Sequence, residues 1–123
     1  MEYVSTDKAP NAIGPYSQAV KANGMLFTSG QIAINPETNQ VEAKTIAEQT
    51  EQVCKNLKAV VEAAGTTMNK VVKTVCFLAD INDFAEFNEI YGRYFVSKPA
   101  RSCVAVKDLP KGVLCEVELI AEL

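Results

Sequence analysis

Arg101, Cys103, Glu116 and Glu118 are the residues of this chain whose types and spacing could do chemistry. A guanidinium grips a carboxylate or phosphate through two parallel N–H bonds. A carboxylate takes or gives a proton, and a thiol can attack an electrophile. The four residues fall in two short apolar runs, Pro99 to Val106 and Leu114 to Leu119, separated by the turn-forming Lys107-Asp108-Leu109-Pro110-Lys111-Gly112. Both runs read as strands, whose side chains alternate between faces. Arg101, Cys103 and Ala105 then share one face, opposite Ser102, Val104 and Val106. Glu116 and Glu118 likewise oppose Cys115, Val117, Leu119 and Ala121. If the uncharged rows face one core, a hairpin of the two strands sets guanidinium, thiol and both carboxylates on one surface. Two readings compete for that cluster. One is a cross-strand ion pair on a solvated face, contributing a fraction of a kcal/mol. The other is a two-pronged clamp for a ligand anion, with a glutamate handling a proton or a water beside it. Residue types alone favour the ion pair, the commoner outcome.

The elements that must position these groups are legible along the chain. Ala9 to Tyr16 is a loop fixed by two prolines and a glycine. Ser17 to Ala22 and Met25 to Ser29 read as strands joined by Asn23-Gly24, a strong hairpin signal. Gly30 ends the second of them, where a turn or a close approach suits glycine. Ile34 to Asn39 is a further turn-rich connection. Thr45 with Glu48 forms a capping box, and Gly65 is a helix stop; between them Ile46, Val53, Leu57, Val60 and Ala64 keep helical spacing. Val71 to Leu78 reads as a central strand, with Val71, Val75 and Phe77 on one side against Val72, Cys76 and Leu78 on the other. A second helix starts at Asn82 or Asp83, with Phe84, Phe87, Tyr91 and Tyr94 on its inner stripe and Asn88 at the stripe's edge.

This order predicts one α+β domain over residues 1–123, a mixed sheet with two helices on a single face. Two helices cover one side only, yet several strands are apolar on both. Burial against other copies of the chain removes the cost of exposing the second face, so a homo-oligomer is expected, with the charged cluster near a subunit boundary.

Composition narrows the function classes. The 123 residues are 48% hydrophobic and 22% charged, as in ordinary globular domains. No apolar run reaches membrane-spanning length and the first residues lack the pattern of a signal peptide, which predicts a cytoplasmic protein without a membrane partner. A net charge of −3 without a Lys/Arg stripe is a poor match to nucleic acid. The four cysteines, Cys54, Cys76, Cys103 and Cys115, show no CxxC pairing, and the absence of histidine removes both common zinc sets and Ser-His or Cys-His activation. No metal is expected. Three cysteines read as small core residues; Cys103 stands apart, its thiol pKa open to lowering by Arg101.

Ile13-Gly14-Pro15-Tyr16-Ser17-Gln18-Ala19-Val20, Thr28-Ser29-Gly30-Gln31 and Pro99-Ala100-Arg101-Ser102-Cys103-Val104, continuing through Leu109-Pro110 to Glu116-Val117-Glu118, resemble the RidA/YjgF/UK114 family of reactive-intermediate (enamine/imine) deaminases. The resemblance covers nearly the whole chain in order. It implies a chorismate-mutase-like α+β fold with a six-stranded sheet, and a homotrimer whose sheets line a central barrel, with three clefts between subunits. It also implies hydrolysis of 2-iminobutanoate and 2-iminopropanoate to 2-oxo acids and ammonia, a functional link to pyridoxal-phosphate dehydratases, and no cofactor. Arg101 matches the carboxylate-binding arginine, Cys103 the cleft cysteine and Glu116 the glutamate that orients water. Tyr16, Ser29, Gly30 and Asn88 match pocket-lining positions. The segment before Pro99 is shorter than in many members and lacks their aromatic residue there. A metabolite-binding regulator of the same fold is the first alternative, and an endoribonuclease or translation inhibitor the second.

Overall fold

The computed structural model describes residues 1–123. Six strands and two α-helices appear in the order β1 (Glu2–Val4), β2 (Ala19–Ala22), β3 (Met25–Thr28), α1 (Ile46–Ala63), β4 (Val71–Leu78), α2 (Phe84–Tyr94), β5 (Ala100–Ala105) and β6 (Cys115–Glu122). They form one mixed sheet, ordered β1-β2-β3-β6-β4-β5, in which only β4 and β5 run parallel. The expected α+β layout holds. β1, too short for a periodic signal, is the strand that residue patterns do not reveal.

Local chemistry accounts for the elements. The β2–β3 hairpin turns on Asn23 and Gly24, both at positive φ (51° and 74°), as the favoured two-residue hairpin turn requires. Thr45 caps α1: its Oγ1 accepts from the Glu48 backbone N–H, and the Glu48 carboxylate accepts from the Thr45 N–H. Gly65, at φ 89°, closes the helix, its N–H donating to the Glu62 carbonyl. The stripe predicted for α1 is buried throughout. Asp80 caps a 3₁₀ turn at Ile81–Asp83 that leads into α2.

Both helices pack on the same face of the sheet. Thr74 of β4 meets the Tyr91 hydroxyl of α2 at 2.6 Å, and Cys115 of β6 lies 3.7 Å from the Thr50 hydroxyl of α1. Thr74 pairs with Leu119, whose side chain shares a face with Cys115, Val117 and Ala121, all fully or almost fully buried. The register shift between Val71 and Lys73 changes the phase of β4. Val71 is therefore buried on the helix side, while Val75 and Phe77 point the other way; the sequence reading had placed all three together. The second face has no helix over it. Val75, Phe77, Val104, Phe27 and Ile120 lie there, with Val104 47% and Phe27 40% exposed. No helix is long and apolar enough to cross a membrane.

Candidate active site

The strands that carry Arg101 and Glu116 are not neighbours, because β4 lies between them. Thr74 pairs with Arg101, Cys76 with Cys103, and Phe77 with both Val104 and Glu116. Directly paired residues share a face, so Arg101 and Cys103 project toward the helices while Glu116 and Glu118 project onto the open face. This corrects the expectation of one surface shared by all four groups. The phase of β5 was misjudged because β5 is an edge strand, beyond full helix cover. Its uncharged row, Ser102 and Val104, is the exposed one. Its charged row is accommodated instead by the aromatic side chains of α2. Arg101 and Glu116 of one chain thus stand on opposite sides of one sheet.

Each borders a concavity of its own. On the helix side, the Arg101 guanidinium carbon lies 4.9 Å from the Tyr91 ring centroid and 5.3 Å from that of Phe84, within cation–π range. Its Nη1 donates to Asn88 Oδ1 at 2.6 Å. No carboxylate neutralises it: the two ion pairs of the chain are Lys21–Glu2 and Arg93–Glu89. A half-buried guanidinium held by an amide and two ring faces, with no anion of its own, is arranged to receive one. It borders a concavity of about 500 Å³ together with Tyr91, Phe95, Lys98 and Pro99. Asn88 therefore contributes by holding Arg101.

On the open face, Tyr16, Ser29, Gly30 and Glu116 line one cavity of about 640 Å³, walled also by Pro10 and Ile13. The β3–β6 pairing is interrupted at Ser29-Gly30 and resumes at Gln31, whose N–H donates to the Val117 carbonyl at 2.9 Å and whose carbonyl accepts from the Val117 N–H. Gly30 gives the Glu116 carboxylate its room: a Cβ there would fall 2.0 Å from Glu116 Oε2. Burial, and then the charge of nearby Glu118, push the Glu116 carboxyl above its usual range. Ser29 Oγ is spent on the Ser17 carbonyl at 2.5 Å. The Tyr16 ring is 53% exposed, and its hydroxyl accepts from the Ile13 N–H at 3.4 Å.

The loop carrying Tyr16 is tied down by a residue that the sequence reading passed over. Gln18 is buried, donates to the carbonyls of Thr6, Ala9 and Pro10, and accepts from the Thr6 N–H. A polar side chain opening a strand, just after a loop with two prolines, was the available signal.

Cys54, Cys76 and Cys115 are fully buried, as expected of core thiols. Burial pushes Cys76 up to about 12 and Cys115 to about 11. The Cys103 thiol is also raised. Desolvation outweighs the opposing pull of Arg101, so the lowering that Arg101 alone could produce does not prevail.

Comparison with known proteins places this geometry. Residues 6–123 match the family model described as Endoribonuclease L-PSP. A RutC family protein of Pyrococcus abyssi is 52% identical, covering 98% of this chain and 95% of its own length. The chloroplastic Reactive Intermediate Deaminase A of Arabidopsis thaliana is 48% identical over 99% of this chain and 66% of that protein. The crystal structure of E. coli TdcF with bound serine superposes with a TM-score of 0.95 at 42% identity, covering 100% of this chain and 99% of that one.

Proposed function

Because the chain belongs to the RidA/YjgF/UK114 family, the family of the Endoribonuclease L-PSP model, we propose that it hydrolyses reactive 2-imino acids to 2-oxo acids and ammonia. The observation that carries this reading is Arg101, a half-buried cation without an anion partner at the edge of a concavity. A homotrimer with clefts between subunits reconciles it with Glu116. Each cleft takes Arg101 and Asn88 from one copy, and Tyr16, Gly30 and Glu116 from the next. The uncovered apolar row of Phe27, Phe77 and Val104 is the surface that a second copy would bury. Arg101 and Glu116 then act together across a boundary, although they cannot within one chain.

The chemistry asks little beyond this. A protonated imine is already electrophilic, so holding it by its carboxylate and directing one water at its carbon supplies much of the acceleration. Arg101 grips the carboxylate through parallel N–H bonds, a geometry lysine lacks. Glu116 accepts a proton from the water as its oxygen bonds to the imine carbon, giving a carbinolamine. The same proton passes to nitrogen; Glu116 then takes the hydroxyl proton as the carbonyl forms and the C–N bond breaks, and that proton leaves with the ammonia as ammonium beside the 2-oxo acid. A carboxyl raised above its usual range is the stronger base for this shuttle. Cys103 has no base to activate it and serves as cleft wall.

A threonine or serine dehydratase coupled to this protein, with imine decay followed against buffer alone, tests the reading. Faster decay that Glu116→Gln abolishes supports it; decay at the buffer rate refutes hydrolysis. Ligand binding without turnover is the second reading, and the bound serine in the E. coli TdcF structure favours a small amino-acid-like ligand for it. That same trace separates the two.

A further inference from the structure

We propose that Tyr91 is a positioning residue of the carboxylate clamp: an aromatic plate, locked in place from behind, that fixes the plane in which Arg101 meets its ligand. The inference rests on reading Arg101 as that clamp. An arginine side chain has many rotamers, and two-pronged recognition works only when the guanidinium plane is set beforehand. The hydrogen bond to Asn88 fixes one nitrogen and leaves rotation about it free. The ring of Tyr91, 4.9 Å from the guanidinium carbon, removes that freedom by giving the cation a face to lie against. Phe84 adds a second contact at 5.3 Å.

A plate is useful only if it does not itself move, and Tyr91 is held at three points. Its hydroxyl meets Thr74 Oγ1 at 2.6 Å, its ring stacks on Phe95 at 4.2 Å between centroids, and Phe87 packs at 5.6 Å. Thr74 is wholly buried and pairs directly with Arg101 across the β4–β5 ladder. The strand that sets the Arg101 backbone therefore also anchors the ring that sets its side chain. A buried tyrosine hydroxyl takes a partner in any core; what points beyond packing is that this anchored ring also lies under the guanidinium.

Calorimetric titration with 2-oxobutanoate, the stable product anion, tests this on Tyr91→Leu, Tyr91→Phe, Thr74→Val and the Tyr91→Phe/Thr74→Val pair. Loss of the plate in Tyr91→Leu weakens binding about tenfold and raises KM for the imine by the same factor, with kcat changed less. Tyr91→Phe keeps the ring and holds affinity to within about threefold. Thr74→Val matches it, and the pair is no worse than either alone, because both changes remove one bond. Wild-type affinity in a folded Tyr91→Leu protein overturns the proposal. Where Tyr91→Leu does not fold, additive losses in the Tyr91→Phe/Thr74→Val pair overturn it. Arg101→Ala is the control. Its failure to bind 2-oxobutanoate upholds the clamp whatever Tyr91 does, whereas unchanged binding removes the clamp and this inference together.

Discussion

Gly30→Ala probes the contact on which the Glu116 half of the cleft is built. The added Cβ would lie 2.0 Å from Glu116 Oε2, 2.9 Å from Cδ and 3.1 Å from Cγ, so the carboxylate cannot stay where it is. The backbone itself does not object, since Gly30 lies outside the left-handed region. The atoms in the way are the far end of a flexible side chain, and the expected response is rotation of Glu116 rather than unfolding. Holding the side chain off its preferred rotamer costs about 1 kcal/mol, which lowers Tm by about 3–5 °C in a domain of this size. Activity suffers far more. A displaced general base forfeits about 100-fold or more in rate, while KM stays near wild type because Arg101, the proposed carboxylate clamp, is untouched. The dehydratase-coupled decay of 2-iminopropanoate measures the rate, and differential scanning calorimetry measures the fold. A Gly30→Ala protein that hydrolyses the imine at the wild-type rate would show that the Glu116 carboxylate, as positioned here, is not the water-directing group.

Because the Glu116 carboxyl is raised by burial and by Glu118, kcat/KM should fall as pH drops through a value above the ordinary carboxylate range, and Glu116→Gln should abolish that limb. The linked effect on stability has the opposite sense. An acid whose pKa rises on folding contributes stability below its unfolded pKa and loses it as pH rises through the folded one, so Glu116→Gln should be at least as stable as wild type at pH 7 in denaturant titrations. Val104→Glu puts a charge into the exposed apolar row; light scattering should show dissociation, and imine hydrolysis should disappear with it although Val104 faces away from Arg101 and is separated from Glu116 by Phe77. Thr45→Ala removes the α1 cap at a residue that lines neither concavity, and should cost about 1 kcal/mol of stability in urea with kcat/KM unchanged.

The legible parts of the sequence are those governed by local physics. Asn23-Gly24 needs only its own backbone to make a turn, and Thr45 with Glu48 needs only four residues to make a cap, so both could be read directly. The α1 stripe follows from periodicity alone. What could not be read was non-local. Strand order decides whether Arg101 and Glu116 adjoin, and the insertion of β4 between β5 and β6 leaves no local trace. The phase of β5 depends on whether α2 offers rings to a guanidinium, a fact that lives on Phe84 and Tyr91 rather than in the strand. The bulge after Val71 is likewise invisible in a run of apolar residues. Resemblance could nominate candidate site residues; the division of Arg101 and Glu116 between two faces required coordinates.

That division makes the central claim open to direct test by complementation. Arg101→Ala and Glu116→Gln are each expected to be inactive alone. Co-expressed with different tags and purified as mixed oligomers, they should regain activity, since a head-to-tail ring of three that holds both variants places an intact Arg101 half against an intact Glu116 half in about one cleft of three. Recovery of imine hydrolysis toward that fraction is what a cleft shared between two copies predicts. Mixed oligomers as inactive as either parent would contradict it.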